Sequence, residues 1–171
     1  MNSTERDLAV QLGKTLSEHR FSIATAESCT GGLIAAIITD IPACSGWFER
    51  GFVTYSNAAK QDMLDVRQAT LEKHGAVSEA VAREMAAGAL KRSRADVTVA
   101  VTGIAGPDGG SREKPVGTVW FGWAWPNGEV TAECRHFPGD RDEVRRATVE
   151  HAFRTLIRRM ENDFREQGNR D

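Results

Sequence analysis

Two stretches of this 171-residue chain hold residue types that could perform nucleophilic chemistry. Pro42-Ala43-Cys44-Ser45-Gly46-Trp47-Phe48 sets a serine in a loop of small residues. Tyr55-Ser56-Asn57-Ala58-Ala59-Lys60 then brings a tyrosine and a lysine. A serine hydroxyl attacks a carbonyl carbon only when a nearby base takes its proton. A lysine amine becomes such a base when burial disfavours its charged form. A tyrosine can relay the proton or donate to the developing oxyanion. Tyr55 and Lys60 stand five apart, unlike the four-residue spacing of short-chain dehydrogenases, and no G-x-G-x-x-G fingerprint accompanies them. On spacing alone, a loop serine and a solvated helical lysine account for Ser45 and Lys60 more simply than a catalytic pair.

Two glycine-containing loops follow strand-like segments: Ser28-Cys29-Thr30-Gly31-Gly32 and Thr102-Gly103-Ile104-Ala105-Gly106. Ligands of open α/β sheets gather outside the carboxyl ends of strands. The first loop leads into a helix whose free amides and dipole could hold a phosphate, and its glycines let the backbone approach a ligand. A plain tight turn explains the same residues. Neither loop continues into G-K-[ST], so the nucleoside-triphosphate signature is missing. Arg141 and Arg145, after Phe137-Pro138-Gly139-Asp140, suit either a phosphate clamp or a solvated helix face. Cys29 has no histidine near it in sequence and reads as core filler. Trp120, Trp123 and Trp125 read as core or dimer-face packing.

The elements that must position these groups alternate along the chain. Leu8, Leu12 and Leu16 give the apolar stripe of a helix over residues 4–20. FSIATAES reads as a strand, TGGLIAAIITDI as a helix buried on most sides, and GFVTYS as a second strand. Asn57 is placed to cap a helix running through Lys60. Ser78 opens another helix, and DVTVAVTG is a β-branched strand. GTVWFGWAW and EVTAECRHF flank Pro126-Asn127-Gly128, a hairpin signal because Asn-Gly tolerates positive φ. Asp140 caps a last helix with Val149, Ala152, Phe153, Leu156, Ile157, Met160 and Phe164 at helical spacing. The pattern predicts one three-layer α/β/α domain over residues 1–165, with a mixed, mainly parallel sheet and one hairpin, followed by a frayed tail at 166–171.

Composition bounds the function classes. A net charge of −2, from 22 basic and 24 acidic residues, does not suit a general nucleic-acid binder. No apolar run is long enough to span a bilayer. The polar start MNSTERDLAVQLGKTL lacks a signal core, which predicts a cytoplasmic chain. Cys29, Cys44 and Cys134 form no C-x-x-C pair and read as reduced thiols. The four histidines are scattered and offer no metal motif.

Six ordered motifs, AESCTGG, FERGFVTYSNAAK, HGAVSE, TGIAGPDGG, KPVGTVW and FPGDRDEVR, together resemble the CinA carboxy-terminal domain family over roughly residues 5–160. The resemblance implies hydrolysis of nicotinamide mononucleotide to nicotinic acid mononucleotide and ammonia in pyridine-nucleotide recycling. It also implies no metal or organic cofactor, and a homodimer. Carried onto this chain, it makes Ser45 the nucleophile, Lys60 its base and Tyr55 an assistant, with Ser28 in the same pocket as the rival nucleophile. Thr30, Gly31, Gly32, Thr102, Gly103 and Arg141 would bind the nucleotide. Where many relatives are Gly/Ser-rich around Ser45, this chain has Pro-Ala-Cys-Ser-Gly. The alternative is an inactive nucleotide-binding regulatory or competence-associated subunit.

Overall fold

The computed structural model describes the backbone of residues 1–168 and the side chains of residues 1–163. The tail expected at 166–171 and the Phe164 side chain lie outside the residues described in full. Asn2 starts helix α1 (Ser3–His19) with a capping box, its side chain accepting from Glu5 N while the Glu5 carboxylate accepts from Asn2 N. Strand β1 (Ile23–Glu27), helix α2 (Leu33–Thr39), strand β2 (Phe48–Val53) and helix α3 (Asn57–Leu64) follow. Ser56, not Asn57, caps α3, its hydroxyl accepting from Ala59 N. Helix α4 (Gln68–His74) has no counterpart in the sequence reading. It is two turns long with only Thr70 and Leu71 buried, too short for a periodic stripe to register. Then come α5 (Glu79–Lys91), capped by Ser78 as expected, and β3 (Val97–Gly103). Strands β4 (Thr118–Ala124) and β5 (Val130–His136) form the expected hairpin, with Gly128 at φ 85° in its turn. Asp140 and Glu143 cap α6 (Arg141–Gly168) reciprocally.

The sheet order is β2-β1-β3-β4-β5. It is mixed: β2, β1 and β3 run parallel, and β3, β4 and β5 antiparallel. Successive strand residues face opposite layers, and the two cores follow that rule. Ile23, Val97, Val99 and Val101 pack with α1, α2 and α6. Ala24, Ala26 and Ala100 pack with Leu64, Val81, Met85 and Ala89 of α3 and α5. The second face carries small residues because α5 sits close to it: a Cβ on Gly122 would lie 2.3 Å from Ala82 O. Gly88 of α5 approaches α3 as closely, its hypothetical Cβ 1.8 Å from Leu64 O. That contact sets the position of the helix carrying Lys60. Trp123 and Trp125 are core residues, and Trp125 Nε1 donates to Thr131 Oγ1 at 3.0 Å. No helix among the described residues is long and apolar enough to cross a membrane.

Candidate active site

The carboxyl ends of parallel β1, β2 and β3 lie side by side, with Glu27 level with Val53 and Val101. The loops leaving those ends enclose a cavity of about 260 Å³, lined by Ser28, Cys29, Tyr55, Lys60, Thr102, Gly103, Asp108 and Arg141 among others. Ser28 is the first residue beyond β1, where its amide donates to Val101 O. By alternation its side chain turns toward the α3–α5 layer, and the side chain of Glu27 turns the other way.

Lys60 projects from the first turn of α3 into this cavity and is only 1 % exposed. Its Nζ lies 3.0 Å from Ser28 Oγ, 2.9 Å from Thr54 O and 3.3 Å from Tyr55 O. No carboxylate pairs with it among the described residues. Burial therefore pushes the amine below the ordinary lysine range. A neutral amine has two N–H bonds and one lone pair. With both N–H groups on the two carbonyls, the lone pair faces the Ser28 hydroxyl.

The structure does not bring Ser45 to this site. Ser45 sits in the 3-10 turn Cys44–Gly46 before the amino end of β2, while Lys60 follows the carboxyl end of that strand. The six residues of β2 separate the two by about 20 Å, from roughly 3.3 Å per residue. The serine beside Lys60 is Ser28, and Ser45 lies toward the other end of β2.

The start of α2, which the sequence offered to a phosphate, already holds a carboxylate. Ile34 N and Ala35 N, at the start of α2, donate at 2.8 and 3.0 Å to the carboxylate of fully buried Glu27, and Thr30 Oγ1 donates to it at 2.6 Å. The helix end is thus occupied by an anion of the protein's own. Thr30 is fully buried, and Thr30, Gly31 and Gly32 are not among the residues lining the cavity. Glu27 is a buried charged residue to which the sequence alone assigned no role. The available signal was a carboxylate inside an otherwise small and apolar strand, which must find donors when buried.

Thr102 and Gly103 do line the cavity, although Thr102 Oγ1 is engaged, donating to Ala76 O at 2.9 Å. Tyr55 is 61 % exposed at the mouth, and its hydroxyl accepts from Arg141 Nη2 at 3.2 Å. Arg141 Nη1 donates to Gly106 O at 2.8 Å, and Arg145 Nη2 donates to Thr30 O at 2.9 Å. The first turns of α6 therefore grip both glycine loops. Burial raises the Cys29 thiol to about 12, so it stays protonated at neutral pH and is a poor nucleophile.

Known proteins carry the same architecture. The chain is 58 % identical over 149 residues to the nicotinamide-nucleotide amidohydrolase PncC of Escherichia coli K12, covering 87 % of this chain and 90 % of that protein. It is 55 % identical over 152 residues to the protein of that name from Enterobacter agglomerans, covering 89 % and 93 %. The crystal structure of the competence/damage inducible protein CihA from Agrobacterium tumefaciens superposes with a TM-score of 0.89 at 48 % identity, covering 92 % of this chain and 96 % of that one. Residues 5–160 match the profile of the CinA C-terminal domain, and the chain belongs to that family.

Proposed function

We propose that this chain is an amidohydrolase that converts nicotinamide mononucleotide to nicotinic acid mononucleotide and ammonia, with Ser28 as nucleophile and Lys60 as its base. One observation carries the assignment: a buried lysine amine, without a carboxylate partner, 3.0 Å from a serine hydroxyl on the cavity wall. The names of the related proteins support the reaction and the substrate.

Neutral Lys60 takes the Ser28 proton as Oγ bonds to the carboxamide carbon. The tetrahedral intermediate collapses when the Lys60 ammonium passes that proton to the departing nitrogen, which leaves as ammonia. Lys60, neutral again, deprotonates a water that attacks the ester; that proton returns to Ser28 as the acid leaves, and the acid then gives its own proton to solvent. The pyridinium charge of the substrate draws electrons from the carbonyl and eases both attacks. Arg141, at the mouth with Tyr55, is suited to the phosphate. Thr102 and Gly103 shape the floor, and Tyr55 assists at the rim. Thr30, Gly31 and Gly32 hold the Ser28 turn and do not touch substrate. In this reading the protein is a cytoplasmic homodimer that recycles pyridine nucleotides.

The test is ammonia release from nicotinamide mononucleotide by the wild type, Ser28→Ala and Ser45→Ala. Ser28→Ala is expected to lose at least about 10²-fold in turnover, the usual worth of such a group, while Ser45→Ala stays within a few-fold of wild type. Loss confined to Ser45→Ala would overturn the assignment.

A further inference from the structure

We infer that Glu27 is a positioning residue for Ser28, acting through Thr30; the inference rests on Ser28 being the nucleophile. Glu27 is fully buried and pairs with no cation among the described residues. It is held by two main-chain amides of α2 and one hydroxyl. A buried charge carries a large desolvation penalty, which well-packed apolar residues avoid. An apolar side chain at this position would pack without that penalty, but it could not hold the turn that follows.

That turn needs holding. Gly31 and Gly32 both have positive φ, at 58° and 102°, and glycine leaves the backbone freer than any other residue. Several bonds restrain it. Gly31 N donates to Ser28 O at 3.0 Å and Leu33 N to Thr30 O at 3.1 Å. Arg145 reaches Thr30 O from α6, and the Thr30 hydroxyl is tied to Glu27. Only the last bond links the turn to the strand residue immediately before Ser28. Glu27 thus fixes the helix start, the turn and the serine in one frame, from the face of the sheet opposite the substrate. It does not line the cavity, so losing its grip should impair chemistry rather than binding.

The experiment compares Thr30→Val, Thr30→Ser and Glu27→Gln with wild type. It measures kcat and KM for nicotinamide mononucleotide, the pH profile, and the rate at which a fluorophosphonate labels Ser28. Thr30→Val keeps the size and loses only the hydroxyl, so the fold survives with the carboxylate still bound by two amides. We expect kcat to fall about 10-fold, consistent with a sub-ångström misplacement of a reacting group, with KM within about 2-fold of wild type. Labelling should slow in parallel, the alkaline rise in rate should persist, and Thr30→Ser should restore both rates. Glu27→Gln turns an NH₂ toward helix amides, and should lose more than Thr30→Val. Wild-type kcat and labelling in Thr30→Val, or a loss Thr30→Ser does not recover, overturns the inference. Failure of the underlying reading looks different: Ser28→Ala would then keep its turnover whatever the Thr30 variants do.

Discussion

Replacing Lys60 with methionine separates what the amine does for the reaction from what it does for the fold. The side chain is nearly the same length and volume, so the surrounding packing is retained. Thr54 O and Tyr55 O lose their donor, and the Ser28 hydroxyl loses its partner. An orphaned buried carbonyl costs about 1–3 kcal/mol. Against this, the variant removes the penalty of burying an amine. The sign follows from the lowered pKa. Between the folded value and the ordinary lysine value, the unfolded state binds more protons, so stability rises with pH across that window. The penalty is full below the folded pKa and gone above the unfolded one. The two effects oppose each other, and net stability at neutral pH should change by no more than about 2 kcal/mol. Activity should not be spared, because a missing base costs about 10²–10⁴-fold, or roughly 3–5 kcal/mol in the barrier. The assay is coupled ammonia release from nicotinamide mononucleotide across pH, with thermal denaturation in parallel. Wild-type kcat/KM should rise with pH as Lys60 loses its proton, and Lys60→Met should lack that limb. A Lys60→Met protein that keeps its turnover within about 3-fold of wild type would refute Lys60 as the base.

Other expectations test the surroundings. Gly88→Ala should lower the Tm, because a Cβ 1.8 Å from Leu64 O forces α3 and α5 apart, with a cost of about 1–3 kcal/mol; turnover should fall too, since α3 carries Lys60, and an unchanged Tm would contradict the close packing. In an iodoacetamide time course read by mass spectrometry, Cys29 should resist alkylation at neutral pH while half-buried Cys44 and Cys134 react first; early modification of Cys29 would show that its thiol is not held protonated. Arg141→Met should raise KM for nicotinamide mononucleotide more than it lowers kcat, because Arg141 lines the cavity beside the exposed Tyr55 hydroxyl and does not bond to Ser28 or Lys60; equal effects on free nicotinamide would remove its phosphate role.

Much of this protein could be read from the residues alone. The leucine stripe of α1, the Asn-Gly hairpin, the Asp140 cap and the β-branched run of β3 are local patterns, and each was present where it was expected. Local signals work because capping, turn φ and apolar periodicity depend on residues within a turn or two of one another. Lys60, Thr102 and Arg141 were also identifiable as cavity residues, through motifs that run in a single stretch.

Pairing across the fold was different. Ser45 is nearer to Lys60 in sequence than Ser28 is, yet β2 runs its full length between Ser45 and Lys60 and carries them to opposite ends of the sheet. Ser28 reaches the lysine because β1 and β2 lie parallel in register and end together. The same geometry decided Glu27: strand alternation turned its carboxylate onto the amides of α2, where the sequence had suggested room for a phosphate. Sequence therefore determined the elements and the chemical inventory. Only the parallel register of β1, β2 and β3 decided which serine meets the lysine, because that contact is set by strand direction and pairing, to which separation along the chain is blind.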